Sequence, residues 1–291
     1  MKNIRLIASD MDGTLLKDGW SISGTNIAAI KQAQNEGIQF IVATGRDYFE
    51  ATGPLKEAGL KLPSVCVNGA DIRGINGEVL QRQTIDSNLL TSVREALENE
   101  SMYYEIYTSD GAYTNNREEG LRLVVDLLVS SGEFAAYSDA EKLAEMRFDS
   151  GTIRVVDCYD QLTEPGSPDI LKLLAFSKDE GARNRVKEKL AFLDVAVSAS
   201  AKDNIEITHR DATKGNGVSF FASSQDIKPE ETMAIGDNLN DLSMFDAAGV
   251  AVAMANAADI VKENCDIETL ANNENGVAHA INTALSNKAD V

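Results

Sequence analysis

A chain of 291 residues, 43% hydrophobic and 25% charged, has the composition of an ordinary soluble globular protein and enough apolar material for two domains. Its formal net charge of −19 creates a field that repels polyanions. Nucleic acid and anionic membrane are therefore excluded as expected partners, whereas a small anion held by a local cationic site is not.

No apolar run approaches the roughly 18 residues that a membrane span needs. The stretch after Arg5 is too short for a signal peptide and is interrupted by Asp10. Cys66, Cys158 and Cys265 lie far apart and are odd in number, which argues against both a metal site and a disulfide framework. Free thiols in a reducing compartment, and a cytoplasmic location, are the expectation.

Ile4 to Ala8 reads as a strand that runs straight into Asp10-Met11-Asp12-Gly13-Thr14-Leu15. Ser23 or Thr25 can cap a helix with Ile27, Ile30 and Ala33 at apolar positions, ended by Asn35-Glu36-Gly37. Ile38 to Ala43 is a second apolar strand and leads into Thr44-Gly45-Arg46. A helix near Tyr48 to Ala58 is followed by a third strand, Ser64 to Val67. Short apolar strands separated by helices predict a parallel sheet covered on its faces.

From about Gln81 to Ile207 the pattern becomes strand-helix-strand-strand, twice over. The first copy takes Gln81 to Ile85, a helix Ser87 to Asn99, Tyr103 to Tyr107 and Ala112 to Thr114, followed by a helical segment Glu118 to Val129. The second takes Asp169 to Phe176, a helix Glu180 to Leu193, Val195 to Ser200 and Asn204 to Thr208. Hairpins and alternation predict an antiparallel sheet with helices on one face. After Lys214 the first pattern returns, with a helix Gly215 to Ser223, a strand Thr232 to Ile235, Gly236-Asp237, a helical Asn240 to Ala248 and a strand Val250 to Val252. The expected architecture is an α/β, Rossmann-like doubly wound parallel sheet, residues 1–82 and 208–291, interrupted by an α+β domain, residues 83–207.

Ligands of open α/β sheets bind beyond the C-terminal strand ends. Those ends carry Asp10-Met11-Asp12-Gly13-Thr14, Thr44-Gly45-Arg46 and Gly236-Asp237-Asn238-Leu239-Asn240-Asp241, with Lys214 at a helix start. Neither aspartate-rich stretch has the ligand spacing of an EF-hand, and no Gly-x-x-x-x-Gly-Lys-Ser/Thr phosphate loop occurs. Three carboxylates at neighbouring strand ends repel unless a hard cation neutralises them, and oxygen-only ligands suit Mg2+. Thr44, the N–H of Gly45 and Lys214 supply the donors and positive charge that a phosphoryl group requires.

These four motifs, in this order, resemble the haloacid dehalogenase-like hydrolases. The insertion after Val67-Asn68-Gly69-Ala70 resembles the large α+β cap of their Cof-type subfamily. The resemblance implies a Mg2+-dependent phosphatase of small phosphomonoesters, sugar phosphates or similar metabolites. Asp10 would be the nucleophile and form an aspartyl-phosphate, and Asp12 the general acid and base. Mg2+ would be held by Asp10, the backbone carbonyl of Asp12, and Asp237. Thr44, Gly45, Lys214 and Asn240 would bind phosphate, and Asp241 would support Lys214 or metal-bound water. A phosphomutase or phosphotransferase on the same scaffold, or a ligand sensor without activity, remains an alternative.

Inside the insertion, Tyr103, Glu105 and Tyr107 share one strand face, and Lys172 interrupts the apolar stretch Ile170 to Phe176. If that face roofs the catalytic site, Glu105 and Lys172 touch the leaving group; otherwise it is a solvated sheet face. Arg46 is a candidate substrate or cap contact.

Overall fold

The computed structural model describes residues 4–130, 137–149, 151–199 and 202–288. They form two compact units, with the chain passing between them at Gln83/Thr84 and again at Thr208/His209.

The first unit is built on an eight-stranded sheet. Across it the strands come in the order Ile267–Glu268, Val250–Ala253, Thr232–Gly236, Leu6–Ser9, Gln39–Ala43, Ser64–Cys66, Asp71–Arg73 and Val79–Arg82. The first six are parallel to one another; Asp71–Arg73 runs antiparallel to Ser64–Cys66, and Val79–Arg82 antiparallel to Asp71–Arg73. Numbered in chain order, the parallel six read 6-5-4-1-2-3, the doubly wound arrangement that places ligands where the order reverses. That reversal lies between Leu6–Ser9 and Thr232–Gly236, paired through Leu6↔Thr232 to Ser9↔Ile235. The apolar runs of the sequence follow from burial of these strands on both faces. Leu6, Ala8, Ile41, Ala43 and Ala234 pack under Val218, Phe221 and Ala222 of the helix Lys214–Ser224, while Ile7, Phe40, Val42, Met233 and Ile235 are equally buried.

The helix Gly24–Asn35 is capped by Ser23, whose hydroxyl accepts from the N–H of Asn26, so Ser23 rather than Thr25 is the cap. Asp47 and Glu50 form a reciprocal capping box on the helix Tyr48–Glu57. The sequence assigns Gln81 to Ile85 to the insertion. Instead Val79–Arg82 pairs with Asp71–Arg73 as the edge of the first unit's sheet, joined by Asp71 to Arg73 and Arg82.

The second unit holds a six-stranded sheet in the order Val195–Ser198, Asn204–His209, Ile170–Phe176, Tyr103–Thr108, Gly111–Thr114, Ile153–Val155. Its central pairs are antiparallel, and Ile153–Val155 adds a parallel edge. The expected strand Val195 to Ser200 ends at Ser198, and Ser200 lies outside the described residues. The helices Ser87–Glu98 and Glu180–Leu190 cover one face, where Tyr104, Ile106, Leu173, Ala175, Ile205 and Ile207 meet Leu90, Val93, Leu97, Val186 and Leu190.

The expectation of helices on a single face is corrected by the opposite one. The helices Arg117–Ser130 and Tyr137–Asp149 pack against each other through Val125, Ala140 and Ala144. Phe148 packs on Tyr107, Ala112 and Ile153, and Arg147 reaches Glu105. A Cβ on Gly120 would lie 2.5 Å from the Tyr103 hydroxyl, so that helix comes as close to the sheet as a side chain permits.

Candidate active site

Four segments of the first unit meet at the reversal point. Asp10 follows the strand Leu6–Ser9, and its N–H still bonds to the carbonyl of Ile235 on the neighbouring strand. The chain then makes a wide turn, closed by Leu15 N–H to Asp10 O and Leu16 N–H to Met11 O. Gly13 takes φ +75 in this turn, and a Cβ there would fall 2.4 Å from Oδ2 of Asp237, so only glycine fits. Thr14 next to it donates to Asp237 Oδ1 at 2.6 Å.

Lys214 opens its helix, a position where the helix dipole disfavours a cation. It is almost completely buried, and its Nζ sits 2.6 Å from Oδ1 of Asp10 and 2.6 Å from Oδ1 of Asp241. A Cβ on Gly215 would lie 2.0 Å from the carbonyl of Ser243, so the lysine helix rests directly on the segment carrying Asp241. Asp241 is fully buried, and its Oδ2 accepts from the N–H groups of Asp237 and Asn238. With Oδ1 taken by Lys214, both Asp241 oxygens are engaged.

Burial opposes the charge on Lys214, but Asp10 and Asp241 outweigh it and hold the ammonium protonated. Burial pushes the carboxyl of Asp10 well above its ordinary range; Lys214 opposes this, while Asp241 and Asp237 add to it. Burial also pushes Asp237 up to about 6, with Thr14 opposing and Asp241 adding. Three carboxyl groups thus crowd one lysine, and burial makes two of them hold their protons more tightly.

Oxygens of Asp10, Asp237 and Asp241 lie within 4.8 Å of one another. Since Asp241 is fully engaged, Oδ2 of Asp10 and Oδ2 of Asp237 are the carboxylate oxygens left without a protein donor among the described residues. A hard cation with oxygen ligands fits this donor set.

On the other side stands the loop after Gln39–Ala43. Thr44 is buried, its hydroxyl accepts from the N–H of Arg46, and its own N–H bonds to Val65 O. Gly45 lies between them, half-buried. Arg46 forms a two-pronged pair with Asp12, Nε to Oδ2 at 2.8 Å and Nη2 to Oδ1 at 2.5 Å. Asp12 is thus turned to Arg46, with half of its side chain exposed.

Asn240 donates from Nδ2 to Oδ1 of Asn68 at 3.2 Å, and its own Oδ1 is the one buried side-chain polar atom without a hydrogen-bond partner among the described residues. Asn68 sits at φ +52, directly after Val67 at φ +51, and its N–H bonds to Thr44 O. This turn also presses on the lysine helix, since a Cβ on Gly69 would lie 2.2 Å from Thr213 O. The sequence reading gave no role to Asn68 or to the Thr14 hydroxyl. Thr14 stood within the quoted motif; for Asn68 the only signal was its place beside Gly69.

Asp10, Thr44, Lys214, Asp237, Asn240 and Asp241 are thus gathered in one unit, with Asp12 and Arg46 paired beside them. Glu105 and Lys172 belong to the second unit, where they are buried rather than solvated. Glu105 accepts from the hydroxyls of Tyr103 and Tyr107 and from Arg147, while Lys172 lies 3.6 Å from Glu206 and 4.4 Å from the centre of the Tyr107 ring.

A family model described as haloacid dehalogenase-like hydrolase matches residues 7–281. Phosphatase YwpJ of Bacillus subtilis (strain 168) is 35% identical over 288 residues, covering 97% of this chain and all of that one. The 5-amino-6-(5-phospho-D-ribitylamino)uracil phosphatase YwtE of the same organism is 33% identical over 285 residues, covering 97% and 99%. Among solved structures, a haloacid dehalogenase-like hydrolase from B. subtilis aligns with a TM-score of 0.85 at 34% identity, over 96% of this chain and 99% of that one.

Proposed function

This chain belongs to the haloacid dehalogenase-like hydrolase family, and from that premise we propose that it is a Mg2+-dependent phosphatase that hydrolyses small phosphomonoesters through an aspartyl-phosphate. The observation that carries this reading is the state of Asp10. One carboxylate oxygen is fixed by Lys214, and the other is left without a protein donor among the described residues, at the sheet's reversal point.

Asp10 Oδ2 attacks phosphorus and the bond from phosphorus to the ester oxygen breaks. The leaving oxygen takes a proton from Asp12. Water then attacks the aspartyl-phosphate, Asp12 accepts its proton, the bond from phosphorus to Asp10 breaks and inorganic phosphate is released. Because Arg46 grips both oxygens of Asp12, the acid must leave the guanidinium before it can deliver a proton. Lys214 neutralises the phosphoryl oxygens while holding Asp10 in place. The Thr44 hydroxyl and Gly45 N–H supply further donors, and Asp241 positions Lys214. Mg2+ would be held by Asp10, the carbonyl of Asp12, and Asp237; when bound it supplies the positive charge that lets an anionic nucleophile meet an anionic phosphate.

The test is a panel of phosphomonoesters with purified protein and Mg2+, reading released phosphate. Activity that vanishes with EDTA and returns with Mg2+ is expected. Undiminished turnover after thorough metal removal would refute the metal assignment. Isomerised product without inorganic phosphate would favour a mutase.

A further inference from the structure

The loop after the catalytic turn carries the chain's single tryptophan. Trp20 is 67% exposed, in a protein that buries most of its large apolar side chains. The loop around it is nonetheless well held. Leu16 and Ile22 pair across its base, and Lys17 N–H bonds to Ser21 O. Asp18 Oδ1 accepts from the N–H groups of Trp20 and Ser21 and from the Ser21 hydroxyl. Such a loop fixes an exposed indole at one place instead of letting it collapse onto the surface.

That place is next to the proton donor of the proposed reaction. The Arg46 guanidinium lies 5.9 Å from the centre of the Trp20 ring; its Nη2 donates both to the carbonyl of Gly19 at 2.7 Å and to Asp12, which Nε also holds. Trp20, Arg46 and Asp12 thus form a continuous row. Asp12 acts on the ester oxygen, so whatever is attached to that oxygen emerges alongside Arg46 and the open surface of the indole.

We propose that Trp20 is a specificity-determining residue that receives the leaving group, and that it selects phosphomonoesters carrying a planar conjugated ring a short tether from the ester oxygen. The inference rests on the phosphatase reading and deepens it. A flat ring stacks on indole with dispersion and quadrupole terms that a puckered ring of equal size does not match. Stacking of heteroaromatic bases on aromatic side chains is large enough to change affinity about tenfold or more. An indole offers this without reading hydrogen bonds, so it sorts substrates by flatness more than by functional groups.

Benzyl phosphate and cyclohexylmethyl phosphate test this directly. Each carries a six-membered carbon ring one methylene from the ester oxygen, and only the first is flat. Wild-type protein is expected to favour benzyl phosphate in kcat/KM. The ratio of the two values should fall about tenfold in Trp20→Leu and be largely kept in Trp20→Phe. The same ratio in wild type and Trp20→Leu would overturn the inference, even if both esters are hydrolysed well. The emission of the single tryptophan provides a second reading that needs no turnover. Titration with benzyl phosphate in the presence of Mg2+ should change it saturably, and cyclohexylmethyl phosphate should change it less. If wild type hydrolyses neither ester, the phosphatase reading is the one in difficulty, and the emission decides about Trp20: a saturable change confined to benzyl phosphate supports the inference, and no change removes it.

Discussion

Each unit buries a cluster of charged side chains, and the two clusters are balanced differently. In the second unit Glu105 is met by two tyrosine hydroxyls and Arg147, and Glu206 by Lys172. In the first, Asp10, Asp237 and Asp241 share one buried lysine, and two carboxylate oxygens are left without donors among the described residues. Buried charge is costly unless paired. Where every group finds a partner, burial fixes a fold; where oxygens are left over, the fold keeps an unmet demand that a ligand fills.

The sharpest way to break this contrast is to remove the proposed nucleophile. Asp10→Asn should lower turnover by at least about a thousandfold while leaving the melting temperature near wild type or above it, because an amide cannot attack phosphorus and burying it costs less than burying a carboxylate. Activity near wild type would show that the unengaged oxygen of Asp10 is not used. Lys214→Met should be nearly as damaging to turnover and also destabilising by roughly 3–5 kcal/mol, since it strands two buried carboxylates. Denaturant titration reads the second effect, and an unchanged midpoint would mean that the lysine is not balancing them.

A third comparison uses pH. Asp237 titrates at about 6 in the folded chain against an ordinary value of 3.8. The folded state therefore keeps this proton longer than the unfolded state. Metal-free protein should lose stability as pH rises from about 4 through about 6, by up to roughly 3 kcal/mol, and lack that contribution fully above. A bound cation offsets the loss, so Mg2+ should raise the melting temperature more at pH 7.5 than at pH 5. Equal shifts at the two pH values would contradict this. The smallest effect is expected in the balanced cluster. Glu105→Gln keeps the shape and part of the hydrogen bonding, and should cost about 1–3 kcal/mol of stability, with turnover changing less than stability does. A larger loss of kcat than of stability would move Glu105 from scaffold to site.

The parallel sheet was legible because strands buried on both faces are written as unbroken apolar runs, as in Ile4 to Ala8 and Ile38 to Ala43. The carboxylates stood out because they end those runs, and glycines beside them marked close approaches. Less legible was anything set by contacts between distant segments. Val79 and Leu80 are exposed on an edge strand, so no apolar alternation announced which sheet they join. The helix Tyr137–Asp149 is polar over much of its length and brings only two alanines, Ala140 and Ala144, to the buried centre of its pairing with Arg117–Ser130, too weak a pattern to notice. The bond from Asn240 to Asn68 depends on two successive left-handed residues, Val67 and Asn68, which no spacing rule predicts. The grip of Arg46 on Asp12 was equally hidden, because it depends on side-chain direction and not on position in the chain.

Asp10 and Lys214 stand 204 residues apart, with the whole second unit between them. A nascent chain emerging at roughly 5–20 residues per second carries Asp10 for about 10 to 40 seconds before Lys214 is made. During that interval the strand end is an aspartate without its lysine partner. On the proposed mechanism, competence arrives only with the C-terminal quarter of the chain, because Lys214, Asp237 and Asp241 are all made after the second unit.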